Sequence, residues 1–160
     1  MKKIILSLIL SVILLFTTNI PIHANESFTD NQIEIQKEIL GNGNTIITTI
    51  QYDSTRSSLL RNSTVSGSKK VDYLNANQQI MWTFTVHGTF SISGTSVTCT
   101  SASHTVSILG SGWNTISSSS GKSGNSASAS AKVGYYSLGI LIQSIERTLT
   151  LSCDSNGKLS

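Results

Sequence analysis

Downstream of Ala24, two histidines, two cysteines and eight carboxylates are the side chains whose types could carry out chemistry. A serine hydrolase needs a serine within reach of a histidine that an acid holds in place. The histidines are His87 and His104, serines are everywhere, and no Gly-x-Ser-x-Gly elbow is present. His87 falls on the polar side of an alternating segment, where a solvated imidazole is expected. A glycosidase needs two carboxylates facing each other across a cleft. The acids are Glu26, Asp30, Glu34, Glu38, Asp53, Asp72, Glu146 and Asp154. Most stand in tails, hairpin faces or turns, only Glu146 lies inside a clear strand, and nothing selects a pair.

Other spacings point to structure instead of chemistry. Gly121-Lys122-Ser123 lacks the glycine that a phosphate loop requires five residues earlier, where Ile116 stands. Asp154-Ser155-Asn156-Gly157 begins like a calcium loop, but no glutamate follows to complete it. Cys99, His87 and His104 are too sparse for a zinc site. No cofactor or metal is therefore expected. The aromatics are the better candidates. Trp82 shares a face with Phe84 and Val86 and belongs to a core. Trp113 is flanked by Gly110-Ser111-Gly112 and Asn114, and Tyr135-Tyr136 follows Gly134. Adjacent strand residues point to opposite faces, so one of these tyrosines is exposed. With Arg147, which stands in register with an apolar set, these three aromatics form the expected ligand-binding group: Trp113, Tyr135, Tyr136 and Arg147.

The elements that must position them read as strands. From Ile80 to Ile92, Trp82, Phe84, Val86 and Phe90 alternate with Thr83, Thr85, His87 and Thr89, a period of two. Gly88 marks a bend or bulge. Ser144 to Cys153 alternates in the same way. Arg147 breaks the pattern, either turned outward by a bulge or partly buried beside a carboxylate. Ser126 to Val133 alternates serine with Ala127, Ala129 and Ala131, small inward residues that suit a close approach by Trp82 or Trp113. Val97–Ile108 and Gly139–Ile142 supply more strand material. Turns are expected at Gly94-Thr95, Gly121–Asn125 and Asp154–Gly157. Gln32–Leu40 and Thr45–Tyr52 flank Gly41-Asn42-Gly43-Asn44 as a hairpin. A short helix over the first segment, capped by Asp30 and Gly41, competes with that reading. Asp53–Thr64 reads as a linker.

Met1-Lys2-Lys3, the apolar run Ile4–Phe16 and Ile22-His23-Ala24 have the layout of a secretory signal peptide. The apolar run is shorter than the ~20 residues a membrane-spanning helix needs. Removing residues 1–24 takes away Lys2 and Lys3, so the net charge of +3 falls to +1. That leaves no concentrated basic face for nucleic acid. In an exported chain Cys99 and Cys153 are most simply one disulfide, worth about 4 kcal/mol for a loop of this length.

Ser66-Gly67-Ser68-Lys69, Trp82 to Phe90, Cys99, Trp113, Gly124 to Ala127 and Thr148 to Cys153 followed by Asn156-Gly157 together carry a resemblance. Over about Ile33–Ser160 the chain resembles a group of small exported β-rich proteins of Gram-positive, largely gut-dwelling bacteria. The resemblance implies export and a β-fold, and carries no catalytic residue across.

The expected architecture is all-β. It has a signal peptide over 1–24, a hairpin and linker over 25–64, and a small antiparallel β-sandwich over 65–160, immunoglobulin-like only in the loose sense: the Cys99–Trp113–Cys153 order is there, but Leu151 stands where the tyrosine-corner residue belongs. The expected role is a secreted, non-enzymatic module that binds cell-wall polymer, glycan or a host protein. Two alternatives stand beside it. One is a membrane-active toxin that uses Ser126–Ile142 as half of an inserting hairpin. The other is a hydrolase with an unfamiliar site.

Overall fold

The computed structural model describes residues 34–53 and 62–160. The signal peptide expected over 1–24, Glu26, Asp30 and most of the stretch read as a linker lie outside the described residues. Eight strands follow one another: β1 Glu34–Ile39, β2 Thr45–Tyr52, β3 Asn62–Leu74, β4 Ile80–Ser93, β5 Ser96–Ile108, β6 Trp113–Ser123, β7 Ser126–Ser137 and β8 Ile140–Ser152. The described residues contain no helix. They form a five-stranded sheet in the order β1-β2-β3-β4-β5 and a three-stranded sheet in the order β6-β7-β8, antiparallel throughout. The fold is a small β-sandwich. Both sheets are plain meanders, so the Greek-key connection of an immunoglobulin domain is not formed.

β4 is the spine of the larger sheet. Trp82, Phe84, Val86, Gly88, Phe90 and Ile92 are buried, and the residues between them are half-buried or exposed. The irregularity expected at Gly88 falls one step later. Register shifts between Thr89 and Phe90, where Thr100 of β5 is the extra residue. Gly88 has another task. It lies opposite Gly67 of β3, and the two glycines leave a shallow trough on the inner face. A Cβ on Gly88 would stand 2.7 Å from the Phe90 ring and 3.1 Å from the Ala127 Cβ. The Phe90 ring, Gly88 and Ala127 thus meet where the two sheets face each other. Ala127, Ala129, Ala131 and Val133 are all buried there. Interiors packed to this density leave no room for an added methyl group.

β1 and β2 are two strands of the larger sheet rather than a unit standing before it, because β2 pairs with β3 along its whole length. The linker reading also overran, since Asn62–Thr64 open β3.

The C-terminal segment closes the other end of the sandwich. The Asp154 carboxylate accepts the amides of Asn156 and Lys158 at 2.9 and 2.8 Å, and Gly157 has φ 75°. This turn sends the chain back so that Ser152 and Ser160 exchange two backbone hydrogen bonds of 3.0 Å. Leu159 is thereby buried, and its amide donates to the Tyr52 hydroxyl at 2.7 Å.

The expected disulfide is not formed. Cys99 and Cys153 are both buried thiols. Their amides donate to the consecutive carbonyls of Gly124 and Asn125 at 2.7 and 3.1 Å, so the β6–β7 turn is seated against both. Each thiol turns to a local carbonyl, Cys99 to Ser101 at 3.2 Å and Cys153 to Asp154 at 3.4 Å. Burial pushes the Cys99 thiol up, against the opposing pull of Lys122 and two backbone hydrogen bonds.

Candidate functional site

At the end of the sandwich opposite Leu159, β3, β5 and β7 finish and β4, β6 and β8 begin. A cleft of about 310 Å³ opens there, lined by Asn44, Tyr73, Asn75, Met81, Ser111, Trp113, Tyr135 and Gln143. Its volume lies at the lower end of the range for small-molecule sites, ~300–1,000 Å³. The floor is aromatic. Tyr73 stacks on Trp82 with centroids 5.1 Å apart and planes 6° apart. Trp113 meets Tyr73 at 5.4 Å and 61°, and Tyr135 at 5.4 Å and 45°. Edge-on and tilted contacts of this kind suit the ring quadrupoles and lock the floor in place.

The crossover from one sheet to the other shapes the rim. The amides of Leu109 and Gly110 both donate to the Met81 carbonyl, at 2.9 and 2.7 Å, and the Tyr136 amide donates to the Gly112 carbonyl at 2.7 Å. Gly110 lies so close that a Cβ would stand 2.7 Å from the Met81 sulfur and 3.1 Å from the Trp113 indole. Gly112 has φ 80°, a conformation that L side chains rarely adopt, and packs on the Tyr135 ring. Gly-Ser-Gly therefore moulds the loop around the two aromatics and leaves Ser111 at the mouth.

The polar groups of the cleft are all neutral. The Asn44 amide donates to the Tyr73 hydroxyl. Asn75 holds its own turn, accepting from the amides of Asn77 and Gln79 at 3.0 Å each. Its NH₂ donates to the Gln79 side chain at 3.1 Å. Gln143 is exposed on the wall of the cleft. No Asp, Glu, Lys, Arg, His or Cys lines it.

Of the four residues expected at a binding site, the structure brings two together. Trp113 and Tyr135 are opposite each other across β6 and β7 and share the cleft. Tyr136 points to the outer face of the smaller sheet, where it flanks Gly134 beside Leu141 and Ile116. Arg147 stands opposite Ala131 on the inner face, farther down the sheet. No bulge turns Arg147 outward. Its Nε is buried with no hydrogen-bond partner, and among the described residues no carboxylate pairs with it. Asn44, Tyr73, Asn75, Met81, Ser111 and Gln143 were missed, because they reach the cleft from loops and strand ends with no shared sequence pattern. The flanking of Ser111 by two glycines was the one local signal.

The remaining chemical candidates do not assemble. His87 and His104 project from opposite faces of the larger sheet: His104 lies edge-on to buried Phe84 at 6.5 Å, and His87 alternates with the buried set. Among the described residues no group of three or more His, Cys, Asp or Glu could hold a metal. Gly121-Lys122-Ser123 is the end of β6 and not a loop, and Lys122 donates to the Thr100 carbonyl. The hydroxyls on the outer face of the smaller sheet engage one another. Ser126 meets Ser152 at 2.8 Å, Ser128 meets Thr150 at 3.3 Å, and Ser130 meets Thr148 at 2.8 Å. These cross-strand pairs hold β7 to β8. No protein-family model, no curated protein and no solved structure matches the chain.

Proposed function

We propose that this protein is a secreted, non-enzymatic module that binds a neutral saccharide, as part of a cell-envelope or host glycan, in the Trp113–Tyr135 cleft. The observation that carries this reading is the lining itself: an aromatic floor, amide and hydroxyl groups on the walls, and no charge. A sugar ring presents an apolar face of C–H bonds and an equatorial rim of hydroxyls. The face packs on tyrosine and tryptophan rings, which are amphipathic and stiff. The rim exchanges hydrogen bonds with groups that both donate and accept, as amides and hydroxyls do. An anionic or cationic ligand would enter without a counter-charge and leave its own charge unpaired, which is costly. The lining holds no carboxylate, imidazole or thiol, so Ser111 has no base beside it to activate its hydroxyl, which favours binding over turnover.

The test is binding of the labelled chain to a glycan array, followed by titration of the best neutral hit. Tyr135→Ala and Gln143→Ala alter side chains that face the cleft and are half-buried or exposed. Each is expected to weaken binding about tenfold, the effect of losing ~1.4 kcal/mol. Arg147→Ala is expected to leave affinity unchanged. Retention that survives both cleft substitutions contradicts the assignment.

A further inference from the structure

The cleft opens beside a surface of a different kind. Leu109, Ile116, Leu138, Ile140, Leu141 and Ile142 are large apolar residues at this end of the sandwich, and all are exposed. Their centre is the β7–β8 turn. Leu138 is 100% exposed and Ile140, Leu141 and Ile142 are 66%, 46% and 61% exposed. Leu138 has φ 51° and Gly139 has φ 79°. A two-residue turn of this shape favours asparagine before glycine, and a leucine there is an outlier. Large apolar side chains left exposed together around one turn mark an interaction surface.

Charge identifies the occupant. The segments that meet at this end, residues 39–52, 73–86, 105–121 and 133–145, contain no Asp, Glu, Lys or Arg. Tyr135 and Tyr136, both half-buried, stand just behind the tip, in the place that amphipathic rings take at a membrane–water boundary. A second copy of the chain would need a self-complementary face of about 800 Å² per partner. This end offers a projecting turn beside an open cleft. We infer that the Leu138–Ile142 turn docks on the interface of a lipid bilayer, inserting leucine and isoleucine side chains below uncharged headgroups. The chain would then hold its cleft against the membrane surface. This docking does not depend on what the cleft binds.

The experiment uses the full chain and two variants, Leu138→Asp and Leu138→Trp, with phosphatidylcholine vesicles. The Leu138 side chain has no contact to lose, so unchanged circular dichroism is expected for both. Vesicle flotation is expected to show wild-type binding that falls at least about tenfold in Leu138→Asp, since a carboxylate is strongly disfavoured in the hydrocarbon. Neither added salt nor anionic lipid should strengthen it, because no cation is near. In Leu138→Trp, lipids brominated in the acyl chains are expected to quench the added fluorescence, which places the tip in the bilayer whatever else the chain does there. Equal binding by wild type and Leu138→Asp, or an unquenched Leu138→Trp, overturns the inference. So does wild-type dimerisation that Leu138→Asp abolishes, which would assign the tip to a second copy.

Discussion

Gly67→Ala probes the joint between the larger sheet and the C-terminal segment. Gly67 is in the middle of β3, and its φ lies outside the left-handed region, so alanine meets no backbone penalty. Shortening the list of unfolded conformations would by itself stabilise the protein by about 0.4–1 kcal/mol. The surroundings reverse the sign. The new Cβ would stand 2.3 Å from the Leu159 Cδ1 and 2.5 Å from the Gln51 carbonyl oxygen. Leu159 can swing its side chain away only by leaving its buried site, while its backbone amide keeps the Tyr52 hydroxyl. That forfeits roughly 2 kcal/mol of burial. Gln51 cannot swing away, because its carbonyl belongs to the neighbouring strand β2. The net expectation is a loss of about 1–3 kcal/mol, the range of overpacked cores. Urea unfolding followed by tryptophan fluorescence measures it. Leu159→Ala alone should lose about 2–4 kcal/mol, and the double variant should lose clearly less than the sum, since both remove the same docked side chain. A Gly67→Ala midpoint within experimental error of wild type would refute the packing argument, and strict additivity would shift the blame to Gln51.

Leu138→Asn should raise the unfolding midpoint by a few degrees, because asparagine tolerates the positive φ that leucine resists; differential scanning calorimetry decides it. Cys99 and Cys153 should react with an alkylating reagent far more slowly in the native chain than in urea, and mass spectrometry should find both as thiols after mild oxidation. The Cys99 thiol is raised by burial, so the unfolded chain ionises first and binds fewer protons. Stability should be level below the ordinary thiol value, about 8.5, and should decline as pH rises from there toward the folded value. A stability that increases over that range would contradict the burial. Gly88→Ala, aimed at the Phe90 ring and Ala127, should lose about 1–3 kcal/mol, read from the same urea curves.

The strands that bury one face were legible in the sequence, and those that do not were obscure. β4, β7 and β8 announce themselves through alternation, because their inner residues must be apolar or small and their outer ones polar. β6 does not. Apart from Trp113 it is exposed along its length, so no burial selects its side chains, and Ser117–Ser120 carry no period. β3 was hidden by Ser66, Gly67, Lys69 and Lys70, although Val65, Val71 and Tyr73 hold its inner face. The β7–β8 turn reads as strand material in the sequence, because leucine gives no turn signal and Gly139 alone is insufficient. The disulfide expectation follows cysteine parity and compartment, whereas each thiol turns to a carbonyl of its own segment, Cys99 to Ser101 and Cys153 to Asp154. For the cleft, Trp113 and Tyr135 could be chosen from their size and glycine neighbours. The polar half of the lining, Asn44, Asn75, Ser111 and Gln143, arrives from four separate connections and strand ends, which only the fold brings together.

The most direct test of the account is a two-dimensional amide and indole NMR titration of the chain with chitotetraose, maltotetraose and cellotetraose. At least one of these neutral sugars is predicted to move the Trp113 indole N–H and the amides of Ser111, Tyr135 and Gln143, while Ser128, Ser130 and Thr150 on the outer hydroxyl face stay still. Shifts confined to that outer face, or no shift with any of the three at millimolar concentration, would contradict a saccharide site between Trp113 and Tyr135.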